Sequence, residues 1–251
     1  MALSHPRRRV SSSQPLDSRA GGNDKRSELR KVSEQSQILM IMNQPQPAIV
    51  FDFGGVLVDW DPRYLYRPFF GGDDAAITRF MQEIGFHEWN LRQDGGRSFA
   101  EGVAVLSKQF PQYAELIRAY DERYADAIVG PIAGTVEVLR LLKEARYPLY
   151  GLSNWAQEKF DLVRPKYEFF NWFDDILISS TVNLVKPDPQ IFTLFLDRIG
   201  WVAADCVYID DSTANILAAN QLGFTTIHFQ SPAQLAKELR QLGLLRQNGH
   251  V

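Results

Sequence analysis

The stretch AIVFDFGGVLVD, residues 48–59, decides how the rest of the sequence is interpreted. Its first four residues form an uninterrupted apolar run, Asp52 follows directly, and the pair Gly54-Gly55 comes two positions later. A short apolar run bounded by a turn signal is typical of a buried strand. The pattern therefore predicts a strand that ends at an aspartate and a glycine turn.

Apolar runs of the same kind recur along the chain and alternate with helical patterns. Apolar side chains at helical spacing, such as Val138, Leu141 and Leu142, indicate helices between the runs. Strands that alternate with helices in this way form parallel sheets covered on both faces. We therefore predict an α/β fold with a Rossmann-like parallel sheet. The further strands are predicted at residues 148–152, 176–179, 206–209 and 225–229, with helices at 212–222 and 231–242.

Residues 60–130 break this alternation. Leu116, Tyr120, Tyr124 and Ile128 recur at four-residue steps, and the whole segment has a helical pattern. We predict a helical domain that is inserted after the first strand and lies over the carboxyl end of that strand. The predicted domains are an α/β core at 45–59 and 131–251, a helical domain at 60–130 and a disordered leader at 1–44.

The amino-acid composition argues against several classes of protein. The 251 residues carry 27 basic and 30 acidic side chains, a near-neutral balance without the charge pattern of a nucleic-acid-binding protein. The single cysteine, Cys206, excludes an internal disulfide and a cysteine-rich zinc site, so we expect a reducing, cytoplasmic setting. The sequence contains no run of about 18 apolar residues, the length a membrane helix requires, and we expect no membrane partner. It leaves the oligomeric state open.

The leader at 1–44 holds eight basic and four acidic residues and is rich in Ser and Gln, with the pair Gly21-Gly22. Such a composition favours disorder. Its acidic residues count against a transit peptide, and a basic arm has little support. We expect a dispensable leader, with Met40 or Met42 as alternative starts.

Polar residues stand where four of the predicted strands end. Each alone has a structural explanation, since Asp, Ser and Asn cap helices and a loop lysine is usually solvated. In an open parallel sheet, however, ligands bind beyond the carboxyl ends of the strands. We therefore predict that these residues share one crevice. They are Asp52, Ser153-Asn154, Lys186 in the loop after the third strand, and Asp210-Asp211.

Three carboxylates in one crevice, those of Asp52, Asp210 and Asp211, would repel one another. Lys186 supplies one positive charge and does not balance three negative ones. A hard divalent cation with oxygen ligands, typically Mg²⁺, would do so. The same ion would make a carboxylate and a phosphate dianion tolerable neighbours, so that the carboxylate can attack phosphorus.

Four motifs in this order resemble those of the haloacid dehalogenase-like (HAD) hydrolase superfamily. They are FDFGGVL at 51–57, LSN at 152–154, KPD at 186–188 and IDDS at 209–212, followed by Asn215. The resemblance implies that the helical insert is the family's cap domain. The variant with Gly54 in the first motif is similar to a branch that includes sugar-1-phosphate phosphatases and relatives of the phosphatase domain of soluble epoxide hydrolase.

The resemblance implies a role for each motif residue. Asp52 resembles the nucleophile that forms a covalent aspartyl intermediate, and its second oxygen and the Gly54 carbonyl would bind Mg²⁺. Asp211 would be a direct metal ligand, and Asp210 a direct or water-mediated one. Ser153, Asn154 and the Gly54-Gly55 backbone would hold the phosphate, Lys186 would neutralise Asp52 and the transferring group, and Asn215 would orient the last loop or support a helix cap.

Gly54 departs from the family pattern. Family phosphatases usually have an aspartate there, which protonates the leaving oxygen and later activates water, a contribution typically worth about 10²–10⁴-fold. Three explanations stay open. The leaving group needs little protonation, as in an acyl phosphate or an anomeric sugar phosphate; another group substitutes, with Asp59, Asp61 and His87 as candidates; or the reaction is not phosphate hydrolysis.

We predict a hydrolase, specifically a Mg²⁺-dependent phosphatase that acts on a small phosphorylated metabolite through an aspartyl-phosphate. The alternatives are a 2-haloacid dehalogenase-type hydrolase, which would need no acid, and a catalytically weak protein that binds a phosphate ligand. Family dehalogenases lack a pair like Asp210-Asp211, and these carboxylates would repel a carboxylate substrate, which favours the phosphatase. In the insert, Trp89 and Arg92 are candidate substrate contacts, although helix packing and a solvated surface are the commoner uses of these residue types.

Overall fold

The computed structural model describes residues 46–246, so the predicted leader at 1–44 lies outside the described part of the chain. Seven strands run through the described part: β1 (Ala48–Phe51), β2 (Val58–Trp60), β3 (Ile128–Pro131), β4 (Leu149–Ser153), β5 (Asp175–Ile178), β6 (Cys206–Asp210) and β7 (Thr225–His228). Five of them form a sheet in the order β5-β4-β1-β6-β7, and all its neighbours are parallel. The remaining two, β2 and β3, form an antiparallel pair.

β1 is the central strand of the sheet. Phe51 lies opposite Gly151 of β4 on one side and Ile209 of β6 on the other, and the amide of Asp52 continues the ladder by donating to the Ile209 carbonyl oxygen at 2.9 Å. The carboxyl ends of β1, β4 and β6 therefore lie side by side. The five strands predicted for the sheet are confirmed, each within one residue at either end.

Ten helices lie between residues 46 and 246, joined in places by short 3-10 turns. None of them is long and apolar enough to cross a membrane. They are α1 (Pro62–Tyr66), α2 (Asp74–Glu83), α3 (Phe86–Asp94), α4 (Phe99–Gln109), α5 (Ala114–Glu122), α6 (Ala133–Glu144), α7 (Gln157–Val163), α8 (Pro189–Ile199), α9 (Thr213–Gln221) and α10 (Pro232–Gln241).

Helices cover both faces of the sheet because successive side chains of a strand point in opposite directions. Ile49 and Phe51 share one apolar cluster with residues of α6 and α10. Ala48 and Val50 belong to a second cluster with residues of α8 and α9. All four side chains of β1 are fully buried, which explains why its sequence is a continuous apolar run.

The segment between β2 and β3 contains α1 to α5, so the prediction of a helical insert is confirmed for its interior. The prediction that 60–130 is helical throughout is wrong at both ends. Trp60 pairs with Ile128, and Asp59 pairs with Gly130, in the antiparallel ribbon of β2 and β3. Ile128 continues a four-residue stripe along the sequence, but it is β-branched and finds a strand partner at the other end of the insert, and this pairing decides its conformation.

The insert has an aromatic core of its own. Tyr120 of α5 stands at its centre, and all the rings around it are buried. Aromatic pairs at these separations stabilise a core beyond the area they bury. The ring centroids of Tyr66, Phe86, Trp89, Phe99 and Tyr124 lie 4.9–6.3 Å from that of Tyr120.

Gly151 of β4 should tolerate no side chain. A Cβ at this position would lie 2.3 Å from Phe53 Cζ, and the Phe53 ring is packed against Phe160, Phe170 and Phe173, with centroids 5.0–6.0 Å away. We expect Gly151→Ala to lower the free energy of unfolding by about 1–3 kcal/mol, the usual cost of overpacking. Urea denaturation measures this loss, and an unchanged midpoint would show that the aromatic cluster rearranges without cost.

Candidate active site

A cavity of about 460 Å³ opens at the carboxyl edge of the sheet. From the sheet side it is lined by residues that follow the strands, among them Asp52, Gly54, Gly55, Ser153, Asn154, Lys186, Asp211 and Asn215. From the insert side it is lined by Trp60, His87, Asn90, Leu91, Asp94 and Tyr124. The structure thus brings residues of all four motifs to one place.

Lys186 is a fully buried cation at the base of this cavity. Its Nζ lies 2.7 Å from Asp210 Oδ2 and 3.0 Å from Asp52 Oδ1, and it donates to the Leu152 carbonyl oxygen at 2.9 Å. Burial alone would lower the pKa of Lys186, but the charges of Asp210 and Asp52 outweigh burial and raise it. The lysine therefore stays charged and links the ends of β1, β4 and β6.

Asp210 is fully buried, and its carboxylate is saturated with donors. Lys186, the Tyr208 hydroxyl, the Ser212 amide at 2.8 Å and the Asn215 side-chain amide at 3.1 Å all donate to it. Burial works to raise the pKa of Asp210, but Lys186 and these hydrogen bonds bring it below its usual value. Asp210 is thus an ionised partner for the buried lysine, and Asn215 orients it.

Asp52 and Asp211 have fewer compensating contacts. Asp52 accepts from the Phe53 amide at 2.7 Å and pairs with Lys186. Burial raises the pKa of Asp52 to about 7; Lys186 opposes this, and the charges of Asp210 and Asp211 add to it. Burial and the charge of Asp210 also raise the pKa of Asp211. Ionising these two carboxylates therefore places negative charge in the site that the protein's own cation does not neutralise.

The carboxylate trio fits a hard divalent cation. One oxygen from each of Asp52, Asp210 and Asp211 lies within 4.8 Å of the other two. Carboxylate oxygens are the ligands that Mg²⁺ prefers, and a cation here would relieve the repulsion that adds to the effect of burial on the pKa values of Asp52 and Asp211. Because Asp210 already accepts four donors, Asp52 and Asp211 have the most lone pairs to offer.

The two glycines of the first motif have different surroundings. Gly55 has a φ of +72°, and a Cβ there would lie 2.3 Å from Asp211 Oδ2. Gly54 has no atom within 4 Å of the place its Cβ would take. A glycine at 55 is therefore needed for the close approach of Asp211, whereas position 54 has room for a side chain.

Asn154 holds the loop that carries Lys186. Its Oδ1 accepts from the Lys186 amide at 2.8 Å, and its Nδ2 donates to the Lys186 carbonyl oxygen at 2.9 Å. Ser153, the last residue of β4, is buried and lines the cavity. The next helix, α7, begins only at Gln157, after Ala156 at the N-cap position, so neither residue is a helix cap.

Trp89 and Arg92 lie away from the cavity, which corrects their expected place as substrate contacts. Trp89 is buried in the aromatic core of the insert, where its Nε1 donates to the Gly102 carbonyl oxygen at 3.0 Å. Arg92 is exposed and pairs with Glu88 at 2.8 Å. Both side chains lie on faces of α3 other than the face that lines the cavity.

A different face of α3 lines the cavity. His87, Asn90, Leu91 and Asp94 follow the i, i+3, i+4, i+7 pattern of one helix face. The sequence carries this signal, since polar and apolar residues recur at helical spacing before the Gly95-Gly96 break. The periodicity does not say which face of the helix is turned to the sheet, and for that reason sequence reasoning does not identify Asp94.

Of the three predicted substitutes for the missing acid, His87 lines the cavity. Asp59 and Asp61 do not. Asp59 accepts from the Tyr64 hydroxyl at 3.0 Å, and Asp61 caps α1 and pairs with Arg63.

Residues 47–223 match the haloacid dehalogenase-like hydrolase family. The chain belongs to this family. The HAD-like hydrolase is 26% identical over 195 residues to a sesquiterpene phosphatase of Aspergillus oryzae, a match that covers 78% of this chain and 95% of that protein. It is 25% identical over 190 residues to a phosphorylated carbohydrates phosphatase of Thermotoga maritima, covering 72% of this chain and 83% of that one. It is therefore a hydrolase with phosphatase relatives.

The fold of the HAD-like hydrolase is also that of solved family members. A HAD family enzyme of Bacteroides thetaiotaomicron, crystallised as a magnesium complex, matches it with a TM-score of 0.57 at 22% identity, over 75% of this chain and 95% of that one. Other relatives are longer, and the match with a drimenol cyclase of Aspergillus calidoustus spans 36% of that protein.

Gly55→Ala should destabilise the HAD-like hydrolase more than Gly54→Ala does. A left-handed backbone costs a residue with a Cβ roughly 1–2 kcal/mol, and at Gly55 the methyl group would also meet Asp211. At Gly54 the methyl group meets nothing. Urea unfolding of the two variants in parallel measures the difference, and equal losses would contradict the contrast drawn between the two positions.

Asp52→Asn should stabilise the protein in the presence of a chelator, and more at pH 8 than at pH 5. Because burial raises the pKa of Asp52 from 3.8 to about 7, the folded state retains a proton in this range that the unfolded state has lost. Ionisation of Asp52 therefore lowers the free energy of unfolding as the pH rises from 4 to 7. An asparagine does not ionise, so the variant does not lose this stability. Thermal unfolding at both pH values checks it; a gain that is the same at pH 5 and pH 8 would contradict it.

Proposed function

We propose that the protein is a cytoplasmic, Mg²⁺-dependent phosphatase that hydrolyses a small phosphorylated metabolite through an aspartyl-phosphate on Asp52. The observation that carries the proposal is the convergence of Asp52, Lys186 and Asp211 on one cavity, with the buried carboxylate of Asp210 directly beside them. A buried unpaired cysteine agrees with a reducing compartment.

Each residue has a task in this reaction that its contacts support. Asp52 is the nucleophile, and Lys186 holds its Oδ1 and adds positive charge where the phosphate would lie. Ser153 and the backbone around Asn154, Gly54 and Gly55 line the cavity where they would hold phosphate oxygens. Mg²⁺ held by Asp52, Asp211, the Gly54 carbonyl and Asp210, directly or through water, would neutralise charge on the phosphate.

The insert fits the role of a cap that selects the substrate. We assign 45–59 and 131–251 to the core domain, 60–130 to the cap, and the chain to the branch with Gly54 in place of the second aspartate. A cavity of about 460 Å³ has the size of a small-molecule site. Trp60, Tyr124 and Trp155 contribute aromatic surface to it, and two relatives are named for the phosphates of a sesquiterpene and of carbohydrates. Substrates with a compact, partly apolar leaving group are therefore proposed.

A haloacid dehalogenase is the second candidate, and Gly54 is the observation that favours it, since expulsion of halide needs no acid. The carboxylate of Asp211 weighs against it because an uncompensated negative charge beside Asp52 would repel a carboxylate substrate. The two candidates differ in their need for a cation.

We expect phosphate release from aryl and sugar phosphates that requires Mg²⁺ and stops with a chelator. Asp52→Asn should lower the rate by orders of magnitude, towards the roughly 10⁶-fold loss that follows removal of a catalytic nucleophile. Asp59→Asn is the matched control, because Asp59 is an aspartate outside the cavity, and its rate should equal that of the wild type. Chelator-resistant chloride release from 2-chloropropionate, with no phosphate release, would overturn the phosphatase.

A further inference from the structure

The motif residues of the site have tasks other than protonating a leaving group. Asp52 and Lys186 are engaged with each other, and Asp210 is ionised and fully buried. Position 54, where phosphatases of this family usually have an aspartate, has no side chain. An alkoxide is a poor leaving group, so hydrolysis of an alkyl phosphate requires a proton donor near the leaving oxygen. That oxygen points away from Asp52, since attack and departure are roughly in line, and therefore towards the insert.

Asp94 is the carboxylate that the insert presents to the cavity. It is the last residue of α3, and its backbone is tied to the sheet side of the cavity, because Ser179 Oγ donates to the Asp94 carbonyl oxygen at 2.6 Å. The turn that follows α3, at Gly95-Gly96, also packs closely against the sheet side of the cavity. A Cβ at Gly96 would lie 2.0 Å from Asn183 Oδ1 and 3.2 Å from the Ser180 carbonyl oxygen. The end of α3 is thus held at a constant place above the sheet edge.

The side chain of Asp94 is also held in place. Asn90 Nδ2 donates to Asp94 Oδ2 at 3.0 Å, and the Tyr120 hydroxyl donates to Asn90 Oδ1 at 3.1 Å. This relay begins in the aromatic core of the insert and ends at the cavity. Tyr124, which also lines the cavity, is buried and forms part of the same aromatic core.

These surroundings keep part of the Asp94 population protonated at neutral pH. Burial raises the pKa of Asp94 to about 7, and the negative charge of Asp52 adds to the increase. The Ala156 amide, Asn90 and Lys186 oppose it. A carboxylic acid whose pKa is near the working pH can both give and regain a proton efficiently.

We infer that Asp94 is the general acid and base of the reaction and takes the place of the aspartate that is missing at position 54. The inference rests on the proposed phosphatase activity. In the first step an Asp52 oxygen bonds to phosphorus, the bond between phosphorus and the leaving oxygen breaks, and that oxygen takes the electron pair and the proton of Asp94. In the second step water attacks phosphorus and gives a proton to the Asp94 carboxylate. The bond to Asp52 then breaks, which releases phosphate and regenerates both side chains.

His87 is the competing candidate, because it lines the same cavity from the same helix. It lies one residue into α3, at the opposite end from Asp94, and it is exposed to solvent. Asp94 is the more enclosed of the two and has its hydrogen-bond partner already in place. The two candidates make different predictions for the same pair of substrates.

The test compares two aryl phosphates in the full chain with Mg²⁺. Phenyl phosphate has a poor leaving group that needs a proton, and 2,4-dinitrophenyl phosphate has a good one that does not. We expect Asp94→Asn to lower kcat/KM for phenyl phosphate by about 10²–10⁴-fold, the usual worth of general acid catalysis, and for the dinitrophenyl ester by less than about tenfold. Asparagine keeps an oxygen for Asn90, and the ratio of the two kcat/KM values does not depend on the fraction of folded enzyme.

Controls come from the same helix. Glu88→Gln changes an exposed acid that pairs with Arg92, and it should leave both values at the wild-type level. His87→Gln should leave the ratio between the two substrates unchanged. An equal loss on both substrates in Asp94→Asn, no loss at all, or a selective loss in His87→Gln instead would overturn the assignment of Asp94. Wild-type enzyme that releases no phosphate from either ester would overturn the proposed function, and the inference with it.

Discussion

The ammonium group of Lys186 between Asp52 and Asp210 is the interaction on which the site depends. It is fully buried, and removing a charge from water is costly unless partners replace the lost hydration. The partners come from the ends of three neighbouring strands, since Leu152 contributes its carbonyl oxygen as well. The sheet must therefore bring β1, β4 and β6 into register for the lysine to be buried, and the lysine in turn holds the Asp52 carboxylate in position. Asn154 completes this arrangement by fixing the loop that carries Lys186.

The acidic residues around this lysine are not equivalent. Asp210 is surrounded by donors and serves as the permanent counterion. Asp52 and Asp211 keep unshared oxygens and unrelieved charge, which is unfavourable for the folded protein alone and favourable for binding a cation and a phosphate. The Asp211 carboxylate packs directly against Gly55, three residues after Asp52, where a side chain would leave no room for it. Stability is thus lower at the place where chemistry is proposed, and the large apolar clusters on both faces of the sheet offset the cost.

In the insert, different faces of the same helix, α3, pack in the aromatic core and line the cavity. One side of α3 contributes Trp89 to the aromatic core, and another side carries polar residues into the cavity. Because the core fixes the helix and Ser179 fixes its end, the polar face stays in a defined place relative to the sheet. A molecule held in this cavity would face Asp52 on the sheet side and Asp94 on the insert side.

The sequence by itself determined the alternation of strands and helices, the turn at Gly54-Gly55 and the segments that carry the motifs, because these are patterns between near neighbours. The family could be recognised for the same reason. Only the tertiary structure decided which residues face one another. The pairing of β2 with β3 joins the two ends of the insert, and the choice of the α3 face that lines the cavity depends on aromatic partners on other helices. Periodicity shows that a helix has faces, but contacts between distant parts of the chain decide which face meets the active site, and so Trp89 was expected there and Asp94 was not.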